Sequence, residues 1–131
     1  MSKKVKAVKE TVTITKPEFS YPVFCFKYLQ ACSYNQCKDP SFFIAFLERL
    51  QKLGHLGWQE INKSHRHSFG TEKLPISSIK PQNRPDILTG DVTELTVFRA
   101  TGSNLPFLGL RFNDIFQVIF IESSFGDIYD H

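Results

Sequence analysis

Leu108-Gly109-Leu110-Arg111-Phe112-Asn113-Asp114-Ile115-Phe116-Gln117-Val118-Ile119-Phe120-Ile121 is the stretch that decides the fold. Two runs rich in aliphatic and aromatic residues flank a polar pair, the pattern of an antiparallel hairpin. Asn113 tolerates the positive φ that a two-residue turn needs at its first position, although glycine rather than Asp114 is usual at the second. With that turn, Phe112 opposes Ile115 and parity assigns each side chain a face. One face carries Leu108, Leu110, Phe112, Ile115, Ile119 and Ile121; the other carries Phe107, Arg111, Phe116, Val118 and Phe120. A lone arginine on an aromatic face is costly to bury. Arg111 therefore either borders an open cleft or meets an acid such as Asp127 or Glu122.

Outward from the hairpin, residues 95–100 form another strand and residues 101–104 a turn into residues 105–112. Residues 115–122 complete the hairpin, residues 123–127 turn again, and Ile128-Tyr129 offers a further short pairing. Upstream, residues 23–29 read as a strand with Phe24, Phe26 and Tyr28 on one face. The alternating, β-branched residues 11–15 read as a short or edge strand. Between these regions, Asp39-Pro40 opens a helix, the first as cap and the second at the first helical position. Phe43, Phe46, Leu47, Leu50 and Leu53 follow as an apolar stripe, and Gly54 marks its end. Residues 58–62 suggest a second helical turn, so that the two make a helical hairpin over one face of a sheet. Residues 69–74 offer a strand, after which Pro75, Pro81 and Pro85 argue against long regular structure.

The expected fold class is thus α+β: a strand, a helical hairpin, then an antiparallel sheet of three to five strands. At 131 residues the chain has the size of one domain. Residues 1–10 read as a flexible basic arm and residues 11–131 as a single α+β domain. About two-thirds of the unfolded chain's surface can be buried at this length, and most of the 13 phenylalanines belong in that core.

The three cysteines, Cys25, Cys32 and Cys37, form no CxxC pair and match no common zinc spacing. The lysine-rich start lacks the apolar segment of a secretory signal. No apolar run approaches the roughly 20 residues needed to cross a bilayer. These features lead to an expectation of reduced thiols, a cytoplasmic location, no membrane association and no metal or other cofactor.

The net charge of +3 is unevenly spread. Residues 62–85 hold five basic and one acidic side chain, whereas residues 86–131 hold two basic and seven acidic ones. The basic centre includes His65, Arg66 and His67. It is either a patch for RNA or a solvated loop.

Several residues suit the breaking of RNA at a 2′-hydroxyl, which needs a base, a cation for the phosphorane and an acid for the leaving oxygen. His65 and His67 alternate about Arg66, so an extended segment would present both imidazoles on one side. Glu72 and Lys73 follow closely, and Tyr129 and His131 form a second alternating pair. Each has a plain structural counterpart: exposed loop histidines, an Arg111 ion pair, an Arg99 bridge to Glu94 or Asp91, a half-buried Tyr129, a frayed terminal His131. No Gly-rich phosphate loop, nucleophile elbow or HExxH is present.

The order of elements, with Arg99-Ala100-Thr101, Leu110-Arg111-Phe112, residues 116–120 and Ile128-Tyr129-Asp130-His131, resembles the RelE/ParE superfamily of toxins over residues 21–131. The resemblance implies a toxin-like endoribonuclease cleaving mRNA, either free or ribosome-bound, and neutralised by an antitoxin protein, with no DNA contact of its own. Within that reading, the chemistry of the residues themselves points to His65, His67, Arg111, Tyr129 and His131 as catalytic. Arg66, Lys73 and Arg99 would bind substrate. The alternative is a non-catalytic protein-binding module, ParE-like or a phage-defence accessory protein.

Overall fold

The computed structural model describes residues 20–65, 68–101 and 105–131. The arm, the strand expected over residues 11–15, Arg66, His67 and most of the 101–104 turn lie outside the described residues. The architecture is α+β. Strands β1 (Val23–Cys25), β2 (Glu72–Pro75), β3 (Glu94–Arg99), β4 (Pro106–Phe112) and β5 (Ile115–Ile121) form one sheet in the order β1-β5-β4-β3-β2. Helix α1 spans Ser41–Lys63, and single 3-10 turns lie at Ala31–Ser33 and Ile76–Ser78. The sheet is mixed rather than purely antiparallel, because β1 runs parallel to β5 while the other pairs are antiparallel. Ile128-Tyr129 joins no strand.

The β4–β5 turn falls at Asn113-Asp114, with Phe112 paired to Ile115 and Asn113 at φ 56°. Strict alternation fails farther up the hairpin. Leu108 pairs with Phe120 but Gly109 pairs with Val118, leaving Ile119 as a bulge. Phe120 and Ile121 consequently exchange faces: Phe120 packs with Leu108, and Ile121 with Phe107. Gly109 permits the close approach, since a Cβ there would lie 1.7 Å from the Gln117 carbonyl oxygen. The bulged residue's carbonyl accepts a hydrogen bond from the Gln30 amide at 2.9 Å. The Ile121 amide donates to the buried Ser33 Oγ at 3.0 Å. Residues 30–33 thus complete the edge of β5 where the three-residue β1 stops.

Helix α1 begins as its cap residues dictate. The Asp39 carboxylate accepts from the Ser41 amide at 3.0 Å and from its hydroxyl at 2.7 Å. The expected stop at Gly54 and the expected helical hairpin do not occur. Gly54 is ordinary helix with open space around it, and the break comes at Gly57, at φ 80°. There the Trp58 amide donates to Ser20 O at 2.8 Å, and a Cβ on Gly57 would press on Ser20 O and the Tyr21 ring. One element broken at Gly57, with the helical turn expected over residues 58–62 as its second segment, stands in place of the hairpin.

The sheet is covered on both faces. On the helix side, Phe46, Leu53, Trp58 and Ile61 bury against Phe98, Ala100, Phe107, Phe116, Val118 and Ile121. Four adjacent strands each contribute one ring to this layer. Phe98 stacks on Phe107 at 5.0 Å, Phe116 meets Phe98 edge-on at 5.0 Å, and Phe24 meets Phe116 edge-on at 6.1 Å. Each such contact adds about 0.5–1.5 kcal/mol beyond area burial. On the other face, Leu95, Val97, Leu108, Ile119 and Phe120 are covered by Ile79, Ile128 and Tyr129, with Ile87, Leu88 and Val92 around them. The proline-rich stretch after β2 is therefore a structural lid, irregular as its prolines require.

Candidate functional site

The face covered by this lid and the C-terminal residues also holds a group of interacting ionisable side chains. Glu72 pairs in register with Val97 and so shares its face, as does Arg99 two residues on. The Arg99 guanidinium contacts Glu72 Oε2 at 2.5 Å. Its side chain is 7% exposed and that of Glu72 30%, leaving the carboxylate as the wetter partner. The Tyr129 hydroxyl hydrogen-bonds Arg99. Burial pushes the Tyr129 hydroxyl up from its ordinary value, and the Arg99 hydrogen bond and charge pull against that rise.

Glu122 follows β5 and is fully buried. Its Oε2 accepts from the amides of Ile128 at 2.8 Å and Tyr129 at 3.4 Å, and its Oε1 contacts His131 Nε2. A carboxylate at this depth is tolerable only with such partners. The His131 ring stacks on Tyr129 at 4.2 Å and on Phe125 at 3.9 Å. Outside this group, Lys80 Nζ meets Asp130 at 2.7 Å and Gly126 O at 2.7 Å, pinning the terminal segment to the lid. The Lys80 hydrogen bond and charge hold the Asp130 carboxyl below its ordinary value.

Of the side chains singled out in the sequence, Arg99, Tyr129 and His131 converge here. Lys73 does not: its register partner is Thr96, whose hydroxyl it contacts at 2.7 Å, on the opposite face of the sheet. Arg111 does not either. It is exposed, lies 3.9 Å over the Trp58 ring, and donates from Nε to Asn113 O at 2.7 Å. Arg99 is in register with Pro106, so Arg111 sits five residues along β4, about 17 Å away, and on the other face. Among the described residues it meets an indole face in place of the cleft or acidic partner expected of it. His65 is exposed in the turn between α1 and β2, where its carbonyl accepts from the Ser68 and Gly70 amides at 2.9 Å each. That turn leads directly to Glu72. Arg66 and His67 lie outside the described residues.

Glu72 is named by the sequence beside Lys73 without a role, and Glu122 only as a possible partner of Arg111; the structure brings both into this group. Glu122 carried a signal, a carboxylate closing a run of seven mostly apolar residues, but the Ile119 bulge decides the face it occupies. Phe125 carries no local sequence signal that separates it from the other phenylalanines.

Two further surfaces stand out. A polar cavity of about 460 Å³ lies between the start of α1 and residues 123–127, and a smaller one of about 250 Å³ shares Gln36 and Asp127 with it. An apolar groove of about 300 Å³ is lined by Phe26, Leu29, Tyr34, Phe43 and Leu47 among others. Cys25, Cys32 and Cys37 are all free thiols. Among the described residues no group of three His, Cys, Asp or Glu side chains is placed to hold a metal ion, and no helix is long and apolar enough to cross a membrane. No family model, curated protein or solved structure matches the chain.

Proposed function

We propose that this chain is a metal-independent endoribonuclease of the toxin type, acting on mRNA in the cytoplasm, with a RelE/ParE-like shape and an antitoxin as its protein partner. The observation that carries the reading is the convergence of Arg99, Tyr129 and His131, a cation, a phenol and an imidazole, within one network. Cleavage at a 2′-hydroxyl uses that set. His131 takes or returns a proton, with Glu122 fixing the ring through Nε2. Arg99 stabilises the charge that develops on the phosphorane. A guanidinium has five donors, so a substrate phosphate joins or replaces Glu72 on the fork. Tyr129 hydrogen-bonds the same phosphate or assists proton transfer. The basic turn at His65 leads into Glu72 and supplies charge for the RNA backbone.

A second reading, a protein-binding module, is favoured by the exposed Phe26, Tyr34 and Leu47 around the apolar groove. Purified protein incubated with RNA, with and without ribosomes, separates the two. The ribonuclease reading expects discrete cuts that disappear in the His131→Ala variant. No cuts under either condition, together with unchanged growth on expression, would leave only the binding module.

A further inference from the structure

Phe125, His131 and Tyr129 form a continuous three-ring stack, each neighbouring pair tilted by 27°. Exposure rises along it. Tyr129 is buried, the His131 side chain is 14% exposed, and Phe125 is 62% exposed. Most of the described phenylalanines are buried in the apolar layers or packed against them, whereas Phe125 belongs to neither. It ends the stack with much of its surface open to solvent. The loop that carries it, residues 123–127, also walls the larger polar cavity, through Ser123, Ser124 and Asp127 facing Gln36 and Lys38. Beside Phe125, Gly126 O holds the half-exposed Lys80 ammonium.

An accessible aromatic face beside amide, hydroxyl and carboxylate groups matches one ligand chemistry well. A nucleobase has a flat π surface and an edge of alternating donors and acceptors. We propose that Phe125 is the stacking platform for an unpaired base of a single-stranded RNA, whose edge or neighbouring nucleotide enters the cavity bounded by Gln36, Ser123, Ser124 and Asp127. The inference rests on the ribonuclease reading and adds to it a substrate class. The base must be unpaired, because in a duplex both its faces are covered by its neighbours. Stacking here sets a nucleotide one ring beyond His131, with Phe125 between them.

The test uses a short fluorescein-labelled single-stranded RNA with every 2′-hydroxyl methylated, which the protein binds but does not cut. Phe125→Ala is expected to weaken binding by about five-fold to a hundred-fold, the usual range for losing one stacked base. Phe125→Trp retains binding, and Phe112→Ala, which removes another exposed aromatic, leaves it unchanged. Annealing the probe to its complement weakens binding. The proposal is overturned if wild type does not bind the single strand, if Phe125→Ala binds as wild type does, or if the duplex binds equally well. Cleavage of the unmethylated RNA is scored separately. Binding that depends on Phe125 without any cleavage keeps the platform and removes the ribonuclease, whereas cleavage indifferent to Phe125 does the reverse.

Discussion

Glu122 and His131 lie nine residues apart and meet beneath the chain's last turn, carboxylate against imidazole, with the carboxylate wholly out of solvent. The same carboxylate takes the amides of Ile128 and Tyr129, so one side chain anchors most of the C-terminal segment. Replacing it by alanine strands two amides and removes the imidazole's partner. Glu122→Ala is expected to lose stability by about 1–3 kcal/mol for each buried amide it leaves without an acceptor. Urea unfolding measures this, and faster carboxypeptidase trimming of residues 128–131 would accompany it. A variant as stable as wild type would mean the anchor is incidental.

Gly109 faces a different constraint. Its close approach to the Gln117 carbonyl leaves no room for a methyl group. Gly109→Ala must open the bulge or shift β4 against β5, at about 1–3 kcal/mol or more. If the bulge closes, Phe120 and Ile121 change faces and both apolar layers are disturbed. Near-ultraviolet circular dichroism of the ring-rich core reports that change directly.

Arg99 and Arg111 are predicted to behave oppositely. Arg99→Lys keeps a charge but loses the planar fork shared by Glu72 and Tyr129. RNA cleavage should fall by about 10²–10³-fold. Arg111→Ala removes an exposed contact over Trp58, worth about 0.5–1 kcal/mol, together with the Nε hydrogen bond to Asn113 O. It should alter tryptophan fluorescence and leave cleavage intact. Loss of cleavage in Arg111→Ala with cleavage retained in Arg99→Lys would relocate the site.

The pH dependence has two arms. The Ser41 side-chain hydrogen bond, then its backbone bond, hold the Asp39 carboxyl below its ordinary value of 3.8. A depressed folded-state value contributes stability above the unfolded value and loses it as pH falls through the folded one. The gap in melting temperature between wild type and Asp39→Ala should therefore be present at neutral pH and close in acid. Tyr129 runs the other way. Its folded value is raised, chiefly by burial, so its contribution is present below the unfolded value of about 10 and is lost as pH rises through the folded one. Tyr129→Phe should flatten the alkaline limb of the stability profile, as followed by thermal melts.

How far the sequence carries the fold is clearest at three places. The Asn113-Asp114 turn and the Asp39 cap were legible because each is settled by residues in contact along the chain. The helix break was not. Gly54 and Gly57 look alike locally, and the choice is made by Ser20 and Tyr21, more than 30 positions earlier. The Ile119 bulge was not legible either, since its carbonyl is satisfied by Gln30 from outside the hairpin. The candidate site divides in the same way. Tyr129 and His131 are near neighbours and were read together. The link from Arg99 to Glu72 depends on the β2–β3 register and replaces the Glu94 and Asp91 partners that proximity favours. Arg111 was placed correctly on the aromatic face, but the Trp58 ring that occupies it comes from α1.

The pairing of β1 with β5 has a bearing on how the molecule is made. Phe24 leaves the ribosome early, yet its register partner is Phe116, close to the other end of the chain. Joining them closes a loop through nearly the whole domain, a contact whose entropy cost is met only after the β3–β4–β5 meander exists to receive it. During synthesis the nascent chain must therefore carry Phe24 and the apolar stripe of α1 uncovered until the last strand arrives. In that interval the polypeptide is open to aggregation or to capture by a chaperone.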